Sequence, residues 1–244
     1  MKANQRWITL ATLAGALATG TAAAGDWSFD ATPYLWVAGL DLATSRPPSE
    51  PAGVDRFDTR ISAGAMFAGE VRYRSVGLFV DCAWLRLNTA AIRPGPLFSY
   101  VNLKLDFIHT TCALTYRLPL EGKLQVEALA GARIWYVGNE FSSGAGAIPG
   151  VAAATDQAWA DPLVGAEVRY DLTRRWSLDV KGTVGGFGVG ATIAWEAFGG
   201  VSYRFTDWCS ATLGYRYLHE NYSRDRSTFN LDAHGFLLGM GFHF

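Results

Sequence analysis

Beyond its N-terminal stretch the chain holds no unbroken apolar run near the ~18 residues that a membrane-crossing helix needs, so a bundle of membrane helices is not expected. Cysteine is scarce: Cys82, Cys112 and Cys209 form no CxxC pair and no metal-ligand spacing. An odd count leaves at least one thiol free, and no metal is expected. Cys82 and Cys112 fall on segments expected to be neighbours. They are read as small wall residues rather than a disulfide, because paired strand positions rarely offer the required geometry. Excess charge of either sign is also missing, since the net charge is −1, so nucleic acid is not an expected partner. The Gly-rich run 182–190 lacks the Lys-Ser/Thr ending of a phosphate loop, and no cofactor is expected. Gly185 is read as lumen space there, with Gly182 and Gly186 facing outward.

What the chain does have is apolarity in alternation. Half of its residues are hydrophobic, yet they are spread so that successive side chains fall on opposite faces of a strand. Ten segments carry this pattern: 27–40, 60–73, 76–88, 99–117, 122–137, 158–172, 175–187, 191–205, 208–221 and 232–244. Most reach the ~9–11 residues of a tilted membrane-crossing strand. In the fifth, Leu124, Val126, Ala128 and Ile134 oppose Gln125, Glu127 and Arg133. In the eighth, Ile193, Trp195, Val201 and Tyr203 oppose Glu196, Ser202 and Arg204. The fourth is the least regular, because its apolar parity switches, and a bulge near Ile108-His109 is expected to reconcile it.

A soluble sandwich alternates too, with its apolar face inward. Three features favour the inverted case, an all-β antiparallel transmembrane barrel of about ten strands, with eight or twelve as alternatives. Aromatics gather at segment ends (Trp27, Tyr73, Tyr116, Trp176, Phe205, Trp208, Phe244), as an interfacial girdle requires. Short connections near 74–75, 119–121, 173–174 and 206–207 alternate with longer ones at 41–59, 89–98, 138–157 and 222–231, with a tight exception near 188–190. Short turns belong on the periplasmic side, and an even strand count returns both termini there. The stretches 45–53 and 144–154 read as loops.

Charges recur on the polar parity, the third feature. Glu70, Arg72, Asp81, Lys104, Asp106, Glu127, Arg133, Glu167, Arg169, Asp179, Lys181, Glu196, Arg204 and Arg216 are expected to project into one lumen. A barrel of this size is filled by side chains, and buried charges must pair, so a plug of salt bridges is expected over a narrow channel.

The N-terminus reads as an export signal: Lys2 and Arg6, an apolar stretch 7–17, then Ala22 and Ala24 at the small-residue positions. Residues 1–24 are expected to be a cleaved signal peptide and 25–244 the barrel.

The stretch Phe29-Asp30-Ala31-Thr32-Pro33-Tyr34-Leu35-Trp36 resembles a family of largely uncharacterised proteobacterial outer-membrane β-barrel proteins. So do Trp159-Ala160-Asp161-Pro162-Leu163-Val164-Gly165, Gly185-Gly186-Phe187-Gly188 and Gly214-Tyr215-Arg216-Tyr217. The likeness spans nearly the whole mature chain. It implies an outer-membrane address and the barrel fold, but supplies no substrate and no catalytic residues. The ending Gly239-Met240-Gly241-Phe242-His243-Phe244 is similar to the aromatic signal read by the barrel-assembly machinery, which makes Phe242 and Phe244 candidate signal residues and that machinery an expected partner. Outer-membrane lipids and lipopolysaccharide are the other expected partners, with Arg224 and Arg226 as possible phosphate contacts, and a monomer is expected.

Lipid A acyl-modifying enzymes and omptin-like proteases are similar to this chain in size and export. The densest set of base-type residues is His219, Glu220, Asp232 and His234. By parity His219 and His234 point outward, where an amphipathic ring sits well at headgroups. His109 and His243 have no partner visible in the sequence. A non-enzymatic structural or surface role is therefore expected, with a passive channel and an outer-membrane enzyme as the alternatives.

Overall fold

The computed structural model describes residues 26–45, 57–60, 63–91, 98–145, 149–224 and 227–244. The expected signal peptide 1–24, most of the Pro-rich stretch 45–53, Arg226 and the side chain of Arg224 lie outside the described residues.

Alternation along the chain becomes strand after strand. The elements are β1 (Trp27–Ser45), β2 (Phe57–Arg60), β3 (Ala63–Tyr73), β4 (Val76–Ala91), β5 (Phe98–Arg117) and β6 (Leu124–Ala145). They continue with β7 (Ala152–Asp171), β8 (Trp176–Gly185), β9 (Ile193–Thr206), β10 (Cys209–Arg224) and β11 (Ser227–His243). From β3 onward each pairs antiparallel with the next, and β11 closes on β1 with Asp30 opposite His243 and Val37 opposite Phe236. Both β2 and β3 pair with β1 along one edge, so together they form a single stave of a closed ten-stranded barrel. Closure leaves no strand edge whose N–H and C=O groups hydrocarbon would strand without partners.

The faces are inverted relative to a soluble sandwich. On β1, Tyr34, Trp36 and Ala38 turn inward and are buried, while Leu35 and Val37 are exposed. On β9, Glu196 and Ser202 are buried, while Ile193, Trp195 and Val201 are exposed. Leu124, Leu238, Met240 and Phe236 likewise cover the outside. Two aromatic belts bound this apolar surface. At the short-turn end, Trp27 packs on Tyr73 at 4.9 Å and Trp176 on Tyr203 at 4.7 Å. At the other end stand Trp84, Tyr136, Trp195 and Tyr215. From Trp195 to Phe205, ten residues at ~3.3 Å each and a tilt of ~40° span ~25 Å, the height of a membrane-facing band.

Four expectations need correction. Residues 138–145 and 152–157 are not loop; they continue the β6–β7 ladder to Ser142 opposite Ala152. Residues 41–45, 89–91 and 222–224 extend their strands in the same way. Pairing there is carried by neighbouring strands, so it needs no hydrophobic alternation. No bulge interrupts β5 at Ile108-His109, where its register with β4 and β6 is regular. Leu105 and Phe107 instead turn into the lumen because the upper lumen is itself apolar. Finally, Gly186 is buried at φ 87° in the β8–β9 turn rather than facing outward, in a left-handed conformation that glycine adopts without strain. The three cysteines are free; Thr110 lies opposite Cys82, and Val80 opposite Cys112.

Gly235 shows how tightly the seam is packed. A Cβ there would lie 2.0 Å from the Val37 carbonyl oxygen, which is backbone and cannot swing away. Gly235→Ala is expected to destabilise the barrel by ~1–3 kcal/mol, as overpacking does. Gly199→Ala is the control, since its Cβ meets nothing within 4 Å. Thermal unfolding followed by heat-modifiable gel migration should separate the two, and equal midpoints would refute the close approach.

Candidate functional site

Inward parity on adjacent strands brings side chains of opposite charge together, and the lumen fills in tiers. Nearest the short turns, Arg72 reaches both oxygens of Glu70 at 2.7 Å and also pairs with Glu127. Arg117 approaches Glu127 at 2.7 Å, and Thr115 donates to Glu70. Across the lumen Arg169 donates to Asp179 at 2.6 Å, and Ser202 donates to the other Asp179 oxygen at 2.5 Å. His243 lies in this tier too, with Nδ1 2.5 Å from Asp30 and Nε2 2.9 Å from the Ser210 hydroxyl.

The middle tier is one connected cluster. Arg216 donates to Asp81 at 2.9 Å, to Tyr34 at 2.9 Å and to Glu196 at 3.1 Å. Glu196 also pairs with Arg133 and lies 3.3 Å from the Lys181 ammonium. Tyr34 donates to Asp81 at 2.5 Å, and the His109 Nε2 sits 3.3 Å from Arg216. Seven strands (β1, β4, β5, β6, β8, β9 and β10) thus meet through ion pairs and hydrogen bonds. An unpaired ion in this setting costs several kcal/mol, which is why both signs arrive in matched positions.

Above it the lumen turns aromatic. Trp135 packs against Phe107 at 5.0 Å, His109 at 5.1 Å and Trp159 at 5.9 Å. Trp159 stacks on Tyr222 at 4.5 Å and meets Phe229 at 5.4 Å, while its indole N–H donates to Glu220 at 3.1 Å.

Most of the charges named from sequence parity face this lumen: Glu70, Arg72, Asp81, Glu127, Arg133, Arg169, Asp179, Glu196 and Arg216, with Glu167 directly across from Lys181. Arg204 has inward parity but stands exposed at the short-turn mouth. Lys104 and Asp106 are on the outside instead, where Lys104 lies 3.6 Å from Glu140 and Asp106 accepts from Arg86 at 2.6 Å. The regular register of β5 is the reason: with His109 and Thr111 inward, even-numbered residues of that strand must point out. Tyr34, His109, Trp135, Trp159 and Ser210 were missed as lumen contributors. For Trp135 the signal was present, since it shares parity with Arg133.

The wall also splits the grouping of His219, Glu220, Asp232 and His234. Glu220 turns into the lumen, while the other three lie on the outer face. There Asp232 is 2.8 Å from His219 Nδ1 and accepts from Tyr217 at 2.8 Å, and His234 is 2.7 Å from the Tyr215 hydroxyl. Trp195 stacks on Tyr217 at 4.7 Å beside them. Phe242, the inner of the two candidate signal residues, stacks on Trp208 at 6.3 Å, and Phe244 exchanges two 2.9 Å backbone hydrogen bonds with Phe29.

No protein-family model matches the sequence, and no curated protein does either. Among solved structures, the chain is similar to the outer membrane protease OmpT from Escherichia coli. That match has 10% identity and a TM-score of 0.62, covering 89% of this chain and 97% of the other. It also matches the translocator domain of the autotransporter NalP from Neisseria meningitidis, at 11% identity and TM-score 0.41, over 89% of this chain and 88% of that one. Ail, the attachment invasion locus protein of Yersinia pestis, matches at 12% identity and TM-score 0.41, over 90% of this chain and 99% of that one. The last two are too distant in shape to argue from. The OmpT likeness shows the fold alone: an outer-membrane-type β-barrel.

Proposed function

We propose that the chain is an integral protein of the bacterial outer membrane whose barrel is sealed against ions and solutes, with its short turns in the periplasm. The apolar outer band, the two aromatic belts and the OmpT-like fold support that address. One observation carries the seal. Trp135 in the aromatic tier, and Glu196 and Arg216 in the charged tier beneath it, are exposed by only 0%, 3% and 2%. A continuous water path between them would leave their surfaces wet. The charges act as a plug that holds seven staves together, which makes a structural, wall-forming role the best-supported one. At the outer rim no reaction is assigned, because the His219–Asp232 pair is joined by the Tyr217 hydroxyl and Glu220 lies behind the wall. Arg86 and Lys104 on the outer face, paired with Asp106 and Glu140, support a reading in which this rim meets lipopolysaccharide phosphates.

Planar-bilayer recording of the purified barrel is the test. The expected result is a membrane that shows no stepwise current after insertion, with insertion confirmed by protease protection. Reproducible steps from the wild-type chain would return the narrow-channel reading in its place.

A further inference from the structure

The periplasmic mouth of the lumen holds an arrangement that sealing does not require. We propose that Ser210, His243 and Asp30 form a hydrolytic centre that cleaves small carboxylic esters carrying a negative charge, with Ser210 as nucleophile, His243 as general base and Asp30 as the positioning residue. The periplasmic orientation rests on the membrane topology proposed above; the chemistry does not.

His243 Nε2 is 2.9 Å from the Ser210 hydroxyl and Nδ1 is 2.5 Å from Asp30, the two contacts by which a carboxylate orients an imidazole against a serine. A carboxylate only accepts, so Nδ1 carries the ring proton and the lone pair of Nε2 faces the hydroxyl. That is the tautomer a general base needs.

Three neighbouring strands hold the set in place. Asp30 on β1 lies directly across from His243 on β11, and Ser210 on β10 across from Gly241. The His243 backbone N–H donates to the Trp208 carbonyl at 3.0 Å. On its other side β10 breaks register with β9 between Cys209 and Ser210. Such an irregularity re-aims a side chain, and it is common beside active sites. Gly241 leaves the space in front of the hydroxyl open, since a Cβ there would come within 2.6 Å of Ser210 Oγ and 3.3 Å of His243 Nε2.

Room for a substrate lies beside the set. A cavity of about 290 Å³ is lined by Ser210 and His243 together with Arg169, Arg174, Arg175, Arg204, Asp171 and Asp207. Its volume sits at the low end of the ~300–1,000 Å³ of small-molecule sites, which calls for a small substrate. Arginine outnumbers aspartate around it, which calls for an anionic one. Arg169 is already engaged by Asp179, and Arg175 donates to the Tyr203 hydroxyl at 3.2 Å. Arg204 is the cross-strand neighbour of Ser210 and lines the same cavity, and in this reaction its cation is the one assigned to the oxyanion.

The reaction balances with water as co-reactant. Ser210 Oγ attacks the ester carbonyl as its proton passes to His243 Nε2. Collapse of the tetrahedral intermediate breaks the ester C–O bond, and the leaving alkoxide takes that proton from His243 to depart as the alcohol. Water then attacks the acyl-Ser210 carbonyl, giving a proton to His243, and the second collapse releases the carboxylic acid and returns the proton to Ser210.

The test uses the full mature chain, folded in detergent and checked by heat-modifiable migration. Two probes are applied: a short-chain fluorophosphonate, and the mono-p-nitrophenyl ester of succinic acid beside neutral p-nitrophenyl acetate. The proposal expects a phosphonyl adduct on Ser210 by peptide mass spectrometry, and faster hydrolysis of the succinyl ester than of the acetate. Ser210→Ala should abolish both labelling and turnover. Asp30→Asn should lower kcat on the order of 10³–10⁴-fold with KM nearly kept, as loss of the orienting carboxylate does. Arg204→Gln should cut kcat/KM for the succinyl ester more than for the acetate. Absence of an adduct on wild-type Ser210, or hydrolysis by folded Ser210→Ala equal to wild type, overturns the proposal. The wild-type adduct decides the matter even if the variant misassembles. A negative result leaves the bilayer recordings, and so the seal, untouched.

Discussion

Glu196→Ala should destabilise the folded barrel by ~3–5 kcal/mol, the penalty for leaving buried charge without its partner. The carboxylate bridges Arg133 and Arg216 and lies near Lys181, so its loss removes the one negative group among the described residues that joins all three. Asp81 still holds Arg216, and Thr111 still accepts from Arg133 at 3.0 Å, which sets the upper bound on the loss. Urea titrations in liposomes, followed by tryptophan fluorescence, measure it. Glu140→Ala, at an exposed pair on the outer face, should change stability by no more than ~0.5 kcal/mol. Adding Arg133→Met to Glu196→Ala should recover much of the loss, because a well-packed apolar pair often replaces a buried ion pair at little cost. A loss below ~1 kcal/mol for Glu196→Ala would mean that water already reaches this tier. That outcome would count against the seal as directly as a current would.

Trp135→Ala should cost a comparable ~3–5 kcal/mol, by a different mechanism. The indole is fully buried and sits among Phe107, His109 and Trp159, so truncation opens a cavity that rigid strands on every side cannot close. Trp135→Phe should cost less than ~1.5 kcal/mol. It keeps most of the packing, and the indole Nε1 that it deletes has no hydrogen-bond partner among the described residues. The same urea titrations compare the two. Equal losses for Ala and Phe would show that the N–H, rather than the packing, matters at this position.

Much of the wall was legible from local pattern. Strand parity alone puts Leu124, Val201 and Leu238 outside and Glu127, Arg133 and Glu196 inside, and the structure has them so. The reading went wrong where parity was not trusted. In β5 the inward Leu105 and Phe107 looked like a register error, when in fact the lumen beyond the charged tier is apolar. From that one misreading followed the inward placement of Lys104 and Asp106. The strand extensions past the outer belt were illegible for another reason: Ala, Ser and Gly in 142–145 and 152–154 carry no hydrophobic period.

By itself the sequence pointed to an all-β barrel of about ten staves, with eight or twelve still open, and to the outward face of most of them. Period-two alternation is a property of consecutive residues, and the lipid solvent fixes its sign. What only the tertiary structure decided is which inward residues touch. Asp30 and His243 stand 213 positions apart in the chain and meet because β11 must close on β1, and the displaced register at Cys209/Ser210 then brings the serine to the same point. Arg216 reaches Glu196 diagonally across the β9–β10 hairpin, but it finds Tyr34 and Asp81 only through barrel closure and stagger, a global quantity that no local stretch of sequence encodes.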